Sequence, residues 1–272
     1  MTEEQKNKIS AILEIYTAIQ CEGSRAGYPT VVVRTSGCTH RCYFGEGGWC
    51  DSWYTSIHPE KPKYSFDDIV KIYDDNPNIK EMMLTGGAST MHPKLVNELT
   101  KFANERNIVI TIETEGSHFL QTDYPIGLIS LSPKFSNSVP VLGTKTPQGK
   151  IVDQKMIDRH NKFRLNYDAI ADTLLYHKDF HIKAVVNPDL SILNELQDFI
   201  NQLADKITEK SKFSEGGDLK SYIRSKVWLM PAGDDRESLI KSYGPIMNAA
   251  VKYGFKFTGR PHIIAFDTQR EV

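Results

Sequence analysis

Short apolar runs alternate with amphipathic segments along this chain, and their spacing predicts the elements. Val31-Val-Val-Arg34 is a β-type run, and Met82-Met-Leu-Thr85 is a short buried strand ending in Gly86-Gly87. Ile108 to Glu113 is almost wholly β-branched, and the runs at 128–131, 181–186 and 227–230 repeat the theme. His262-Ile-Ile-Ala-Phe266 is the last strand candidate. Helical signals fall between these runs. Ser65, with Asp68 three positions on, marks a helix start. Pro93 opens a helix reaching about Arg106, and Leu193, Leu196, Ile200, Leu203 and Ile207 mark one face of another. A last helix is predicted over 238–253.

This alternation predicts an α/β fold: a parallel sheet with crossover helices, open or closed as a barrel. Such folds gather their sites at the carboxyl ends of the strands. Four unusual motifs follow strands here: a cysteine loop after Arg34, glycines after Thr85, Glu113-Thr-Glu-Gly116, and Ser132-Pro-Lys134. Residues 1–272 read as a single domain. The polar stretch 206–224, with Gly216-Gly217, reads as a surface insertion. No internal repeat or low-complexity segment interrupts the pattern.

At 272 residues the chain can bury one sizeable core. A formal net charge of −1 gives no electrostatic reason to expect nucleic acid as a partner. No apolar run approaches the ~20 residues that span a bilayer, so no membrane partner is expected. The first residues lack the basic-then-apolar profile of a secretory signal, so the expected location is cytoplasmic. Clustered thiols there are metal ligands more often than disulfides. Cys38, Cys42 and Cys50, three of the four cysteines, fall within thirteen residues of a glycine-rich loop. Soft thiolates so placed suit an iron–sulfur cluster, or a zinc ion with His40 as fourth ligand. A four-iron cluster held by three cysteines leaves one iron open for another ligand.

The ordered motifs carry a resemblance. Ile19-Gln-Cys-Glu-Gly23, Val33-Arg-Thr-Ser-Gly-Cys38, Trp49-Cys-Asp-Ser52, Thr85-Gly-Gly87, Glu113-Thr-Glu-Gly116, Leu131-Ser-Pro-Lys134 and Trp228-Leu-Met-Pro231 occur in the expected sequence. Together they resemble the radical S-adenosylmethionine (SAM) enzymes and, within them, the 7-carboxy-7-deazaguanine synthase family. Two departures stand out. Seven residues, 43–49, separate Cys42 from Cys50, where that superfamily has a shorter gap; Gly45, Gly47 and Gly48 would let the backbone bulge and return. The family's Gly-Gly-Glu-Pro is here Gly86-Gly-Ala-Ser89, without the glutamate that accepts from the SAM amino group.

The resemblance implies a partial, open (β/α)6-type radical SAM barrel with parallel strands. It implies a carbon–nitrogen lyase that contracts 6-carboxy-5,6,7,8-tetrahydropterin to 7-carboxy-7-deazaguanine with loss of ammonia, feeding queuosine-type 7-deazaguanine biosynthesis. The implied cofactors are a [4Fe-4S] cluster on Cys38, Cys42 and Cys50, SAM, and Mg2+ on Ser52. For SAM it implies Trp49, Asp51, Gly86, Gly87, Glu113, Glu115, Ser132, Pro133 and Lys134. For the substrate it implies Ile19, Gln20, Cys21, Glu22, Arg34, Thr85 and His262. A flavodoxin- or ferredoxin-type electron donor and a homodimer are likewise implied. Plainer readings stand beside these. Arg34 reads also as half of a structural ion pair, Gln20 and Glu22 as loop caps, Lys134 as a solvated loop residue, and His262 as a core histidine. The alternatives for the whole chain are another radical SAM enzyme of activase type and a non-catalytic protein retaining the fold.

Overall fold

The computed structural model describes residues 11–56, 58–177, 179–211 and 218–272. Eight strands form one sheet in the order of the chain: β1 (Ile12–Ile19), β2 (Pro29–Thr35), β3 (Glu81–Gly86), β4 (Val109–Thr114), β5 (Leu128–Leu131), β6 (Phe180–Val186), β7 (Val227–Pro231) and β8 (Lys256–Phe257). β1 pairs antiparallel with β2, and every later pairing is parallel. β1 and β8 are the two edges, so the barrel stays open. Six parallel strands, β2 to β7, make the expected six-fold unit, with β1 and the two-residue β8 added at its edges. β1 lies outside the strands predicted from sequence.

Eight helices are described: α1 (Phe66–Asp75), α2 (Pro93–Glu105), α3 (Gln154–Phe163), α4 (Tyr167–Tyr176), α5 (Leu193–Ser211), α6 (Leu219–Ser225), α7 (Arg236–Tyr253) and α8 (Pro261–Phe266). At α1 the Asp68 carboxylate accepts from the Ser65 N–H and hydroxyl, as the start signal predicts. The apolar faces of α2 and α5 lie with Val31, Leu84, Ile112, Ile129, Ile182 and Leu229 in one core. Burial of that stripe, at about 25 cal/mol per Å2, is what holds crossover helices to the sheet. The crossover from β4 to β5 carries no helix; coil runs over 115–127, with Leu120 buried in the core.

One predicted strand is corrected. His262 to Phe266 lie in the helix α8. Pro261 at its first position has its φ preset for a helix and no N–H to lose, and this start outweighs the apolar run. Within the stretch 206–224, residues 206–211 are the last turns of α5 and residues 219–224 lie in α6; residues 212–217, with Gly216-Gly217, lie outside the described residues.

Candidate active site

Register sets the site. Arg34 pairs with Thr85 across β2 and β3, and Glu113 with Ser130 across β4 and β5, so the carboxyl ends of four neighbouring strands lie side by side. All four motifs that follow strands line one cavity there: Cys38, Cys42 and Cys50; Gly86 and Gly87; Glu113 and Glu115; Ser132 and Lys134. Trp49, Asp51, Ser52 and Thr85 line the same cavity. So do Ile19, Gln20, Cys21, Glu22, Arg34 and His262. Of the predicted site residues only Pro133 is absent from the wall; it is buried behind Ser132 and Lys134.

The long gap between cysteines folds as a closed loop. Tyr43 and Trp49 form an antiparallel bridge, the Phe44 N–H donates to the Gly48 carbonyl at 2.8 Å, and the Cys50 N–H to the Cys42 carbonyl at 3.1 Å. Cys50 therefore returns beside Cys42. Gly45 and Gly48 sit at φ of +63° and +77°, which favours glycine. Opposite this loop, Gly87 meets the cysteine segment so closely that a Cβ on it would lie 2.1 Å from the Gly37 carbonyl oxygen. The glycine pair is thus what lets the end of β3 pack against the cysteines. Ala88, where the family motif has glutamate, is buried behind this contact, donates its N–H to the Gly37 carbonyl at 2.8 Å and is not part of the cavity wall.

The cysteines are free thiols. Burial pushes Cys38 up to about 12 and Cys50 up to about 11, and pushes Cys42 well above the ordinary thiol range; Lys134 opposes this at all three. Among the described residues no three His, Cys, Asp or Glu side chains stand together closely enough to hold a single metal ion. Two buried polar atoms of the same wall have no hydrogen-bond partner, Glu115 Oε2 and His40 Nε2. The other Glu115 oxygen accepts from Thr39 Oγ1 at 3.0 Å and from Ser117 Oγ. Burial lowers His40 to about 2, so its ring is neutral at physiological pH.

Adjoining the cysteines, the wall continues as a chain of ion pairs. Arg34 Nε donates to Glu14 Oε2 at 2.7 Å, Nη1 to Ser52 Oγ at 2.8 Å and Nη2 to Tyr16 Oη at 3.5 Å. Three of the five guanidinium N–H groups are used, and one remains on each terminal nitrogen. Lys183 bridges Glu22 and Glu113, and Arg260 bridges Glu22 and Asp51. Burial disfavours the charged form of Glu22, but Lys183 and Arg260 outweigh it and hold the carboxyl well below its usual range. Burial acts the same way on Asp51, where Arg260 and Arg34 outweigh it and hold the carboxyl low.

The plainer readings are therefore present alongside the functional ones. Arg34 does form a structural ion pair, and Gln20 does cap a loop: its Oε1 accepts from the Cys21 and Glu22 N–H groups at 2.9 and 3.1 Å. The sequence reading missed Glu14, Lys183 and Arg260. Lys183 carried a signal, a charged residue at an alternate position inside an apolar strand. Glu14 had the same signal in β1, and Arg260 had none.

A solved structure, QueE from Escherichia coli, aligns with a TM-score of 0.50 at 16% identity over 95% of this chain and 99% of that one, and shares its fold. Fold and cavity together define an α/β protein with an open partial barrel of parallel strands and a cysteine-lined site at the strand ends. No family model matches the chain. A 7-carboxy-7-deazaguanine synthase of Halobacterium salinarum is 31% identical over 261 residues, spanning 96% of this chain and 92% of the relative. One from Rhodopirellula baltica is 26% identical over 95% of this chain and 87% of the relative. The chain belongs to the 7-carboxy-7-deazaguanine synthase family.

Proposed function

We propose that this protein converts 6-carboxy-5,6,7,8-tetrahydropterin to 7-carboxy-7-deazaguanine with loss of ammonia, as a carbon–nitrogen lyase of queuosine-type biosynthesis. The observation that carries the reading is full-length similarity to a synthase of that name together with one cavity that collects every motif of the resemblance.

The cavity's donor set fits the implied cofactors. Cys38, Cys42 and Cys50 would hold a [4Fe-4S] cluster. Their loop brings three soft ligands to one wall, and Lys134 beside them favours their thiolate forms. SAM would lie between Gly86-Gly87, Trp49, Asp51, Ser132 and Lys134. The unpartnered Glu115 Oε2 is an acceptor for its amino group, in place of the glutamate missing at Ala88. Mg2+ would take Ser52 Oγ, which lies 3.2 Å from Asp51 Oδ1, an oxygen pair of the kind a hard cation prefers. When bound, cluster and SAM supply the one-electron chemistry that opens the ring contraction.

The chain's own groups do the rest. Glu14 neutralises and orients Arg34, whose two remaining N–H groups are aimed at a substrate carboxylate. Glu22, kept ionised by two cations, accepts from the N–H edge of the pterin, with Gln20 holding its loop. Thr85, His262, Ile19 and Cys21 complete the substrate wall. A flavodoxin- or ferredoxin-type donor, a homodimer and a cytoplasmic location belong to the same proposal. Among the described residues no helix is long and apolar enough to cross a membrane.

Anaerobic reconstitution with iron and sulfide, then incubation with SAM, Mg2+, reductant and the carboxytetrahydropterin, tests the reading. The deazaguanine product is expected. SAM cleavage without that product, on substrate that stays intact, would move the chain to another radical SAM reaction.

A further inference from the structure

Lys183 sits in β6 with 4% of its side chain exposed. Its ammonium donates to Glu22 Oε2 at 2.7 Å and to Glu113 Oε1. The two carboxylates come from distant segments, the loop after β1 and the end of β4. A buried ion pair is weak evidence for stability, since well-packed apolar groups of similar volume often serve a fold as well or better. Its neighbours Ile182 and Ala184 in β6 are apolar and fully buried. Those two face away from the cavity, whereas Lys183 and Val185 line it, so the ammonium addresses the cavity and not the core.

Counting acceptor sites shows what the cation leaves available. A carboxylate oxygen takes two donors. Glu22 spends one site of Oε2 on Lys183 and one of Oε1 on Arg260, which leaves one on each oxygen. Glu113 Oε2 accepts from Thr85 Oγ1 at 2.7 Å and keeps one site. Both residues line the cavity. Without the cation, two carboxylates would share this corner, and like charges in a shared site drive one towards its protonated form. An acceptor would become a donor facing the substrate's own N–H groups.

The loop carrying Glu22 does not depend on Lys183 for its place. Ser24 bonds His181 Nδ1 through both its N–H, at 3.3 Å, and its hydroxyl, at 2.9 Å. The Gly23 N–H donates to Thr258 Oγ1 at 2.8 Å, and the His181 ring fills the space where a Cβ on Gly23 would stand. β6 thus holds the loop with His181 and, two residues on along the same face, addresses its carboxylate with Lys183.

We infer that Lys183 is a positioning residue of the substrate site, fixing Glu22 and Glu113 as a matched pair of acceptors for the N–H groups of the pterin; Glu113, which the resemblance assigns to SAM, is thereby placed with the substrate instead. The inference rests on the proposed conversion of carboxytetrahydropterin. Its test is Lys183→Met in the full-length, cluster-loaded protein. The readouts are anaerobic calorimetry of substrate binding in the presence of SAM and without reductant, followed by turnover. Substrate affinity is expected to fall roughly thirty-fold or more, the scale of removing one partner of a buried charge pair. Iron content and SAM affinity are expected to match the unaltered protein, and Lys183→Arg, which keeps the cation, should recover part of the loss. Substrate affinity unchanged in Lys183→Met overturns the inference. Parallel loss of iron, SAM affinity and substrate affinity also overturns it, because Lys183 would then serve the fold. If Lys183→Met does not fold, Lys183→Gln is read the same way, and unaltered affinity there is equally fatal. Failure of the functional reading looks different: the unaltered protein itself would neither bind nor convert the carboxytetrahydropterin.

Discussion

The two walls of the cavity are built on opposite plans. The cysteine wall is incomplete: three free thiols held protonated by burial, and two buried polar atoms, Glu115 Oε2 and His40 Nε2, without partners. In the ion-pair wall every charge among Glu14, Arg34, Asp51, Arg260, Glu22, Lys183 and Glu113 has a partner, while Arg34 keeps spare donors and Glu22 and Glu113 keep spare acceptor sites. Orphaned buried polar atoms are costly, and in the proposed function a bound group would complete the cysteine wall. A wall already satisfied needs no reorganisation when substrate arrives, and such preorganisation is what positions a reacting molecule. In the proposed function one wall would be a socket for cofactors and the other a rigid template for the substrate.

The contrast breaks most easily at the cysteines. Cys50→Ala should abolish the charge-transfer absorbance of reconstituted protein and reduce product to background, since the loop that returns Cys50 to Cys42 has no other thiol to offer. Cys21→Ala, in the separate signature at 20–23, should keep full iron. Full iron in Cys50→Ala would show that the cysteine wall is closed by some other ligand.

On the template wall, Arg34→Lys retains charge and loses the fork. One ammonium cannot hold Glu14, meet Ser52 and present two parallel donors to a carboxylate. kcat/KM for the carboxytetrahydropterin should fall about 10²-fold, the scale of an ångström-level misplacement. Cluster content and uncoupled SAM cleavage should stay near normal. Equal loss of all three would make Arg34 a structural residue only.

Ala88→Glu probes the seam between the walls. Ala88 is 1% exposed and stands outside the cavity lining, so a carboxylate there meets the cysteine segment and not the bound cofactor. An unpartnered buried polar group costs about 1–3 kcal/mol, and Tm should drop by several degrees. An unchanged Tm with tighter SAM binding would mean that residue 88 reaches the cavity after all, and that Glu115 is not the acceptor in its place.

What could be read from the chain follows the same division. The socket is made of local motifs, each placed by the strand before it, so Cys38, Gly86-Gly87, Glu115 and Ser132-Pro-Lys134 were visible as words in the sequence. The template is made of pairs between distant segments: Glu22 with Lys183, 161 residues apart, and Arg260 with Asp51, 209 apart. No local pattern announces such pairs. The strand β1 is not predicted because its apolar residues fall in adjacent pairs, at 12–13, 15–16 and 18–19, and not at alternate positions; Glu14 is missed with it. His262 lines the cavity from a helix and not from a strand, because Pro261 starts a helix where the apolar run predicts a strand.

The smallest expected effect lies in the loop that the long cysteine gap creates. Asp234 Oδ2 accepts from the Trp49 N–H at 3.2 Å and packs against Gly48 at a point where no Cβ fits. Asn187 Nδ2 donates to the Phe44 carbonyl at 2.7 Å, and Gly47 lies against Ala232. The loop is therefore held at several points, and removal of one of them should be tolerated. Asp234→Ala should cost about 1 kcal/mol, the net worth of one hydrogen bond, with iron content retained. Asp234→Asn keeps an acceptor oxygen for Trp49 and should be close to neutral in thermal unfolding. Loss of iron in both variants would show that the socket's geometry hangs on this single carboxylate. Loss in Asp234→Ala alone would assign that dependence to the hydrogen bond and not to the charge.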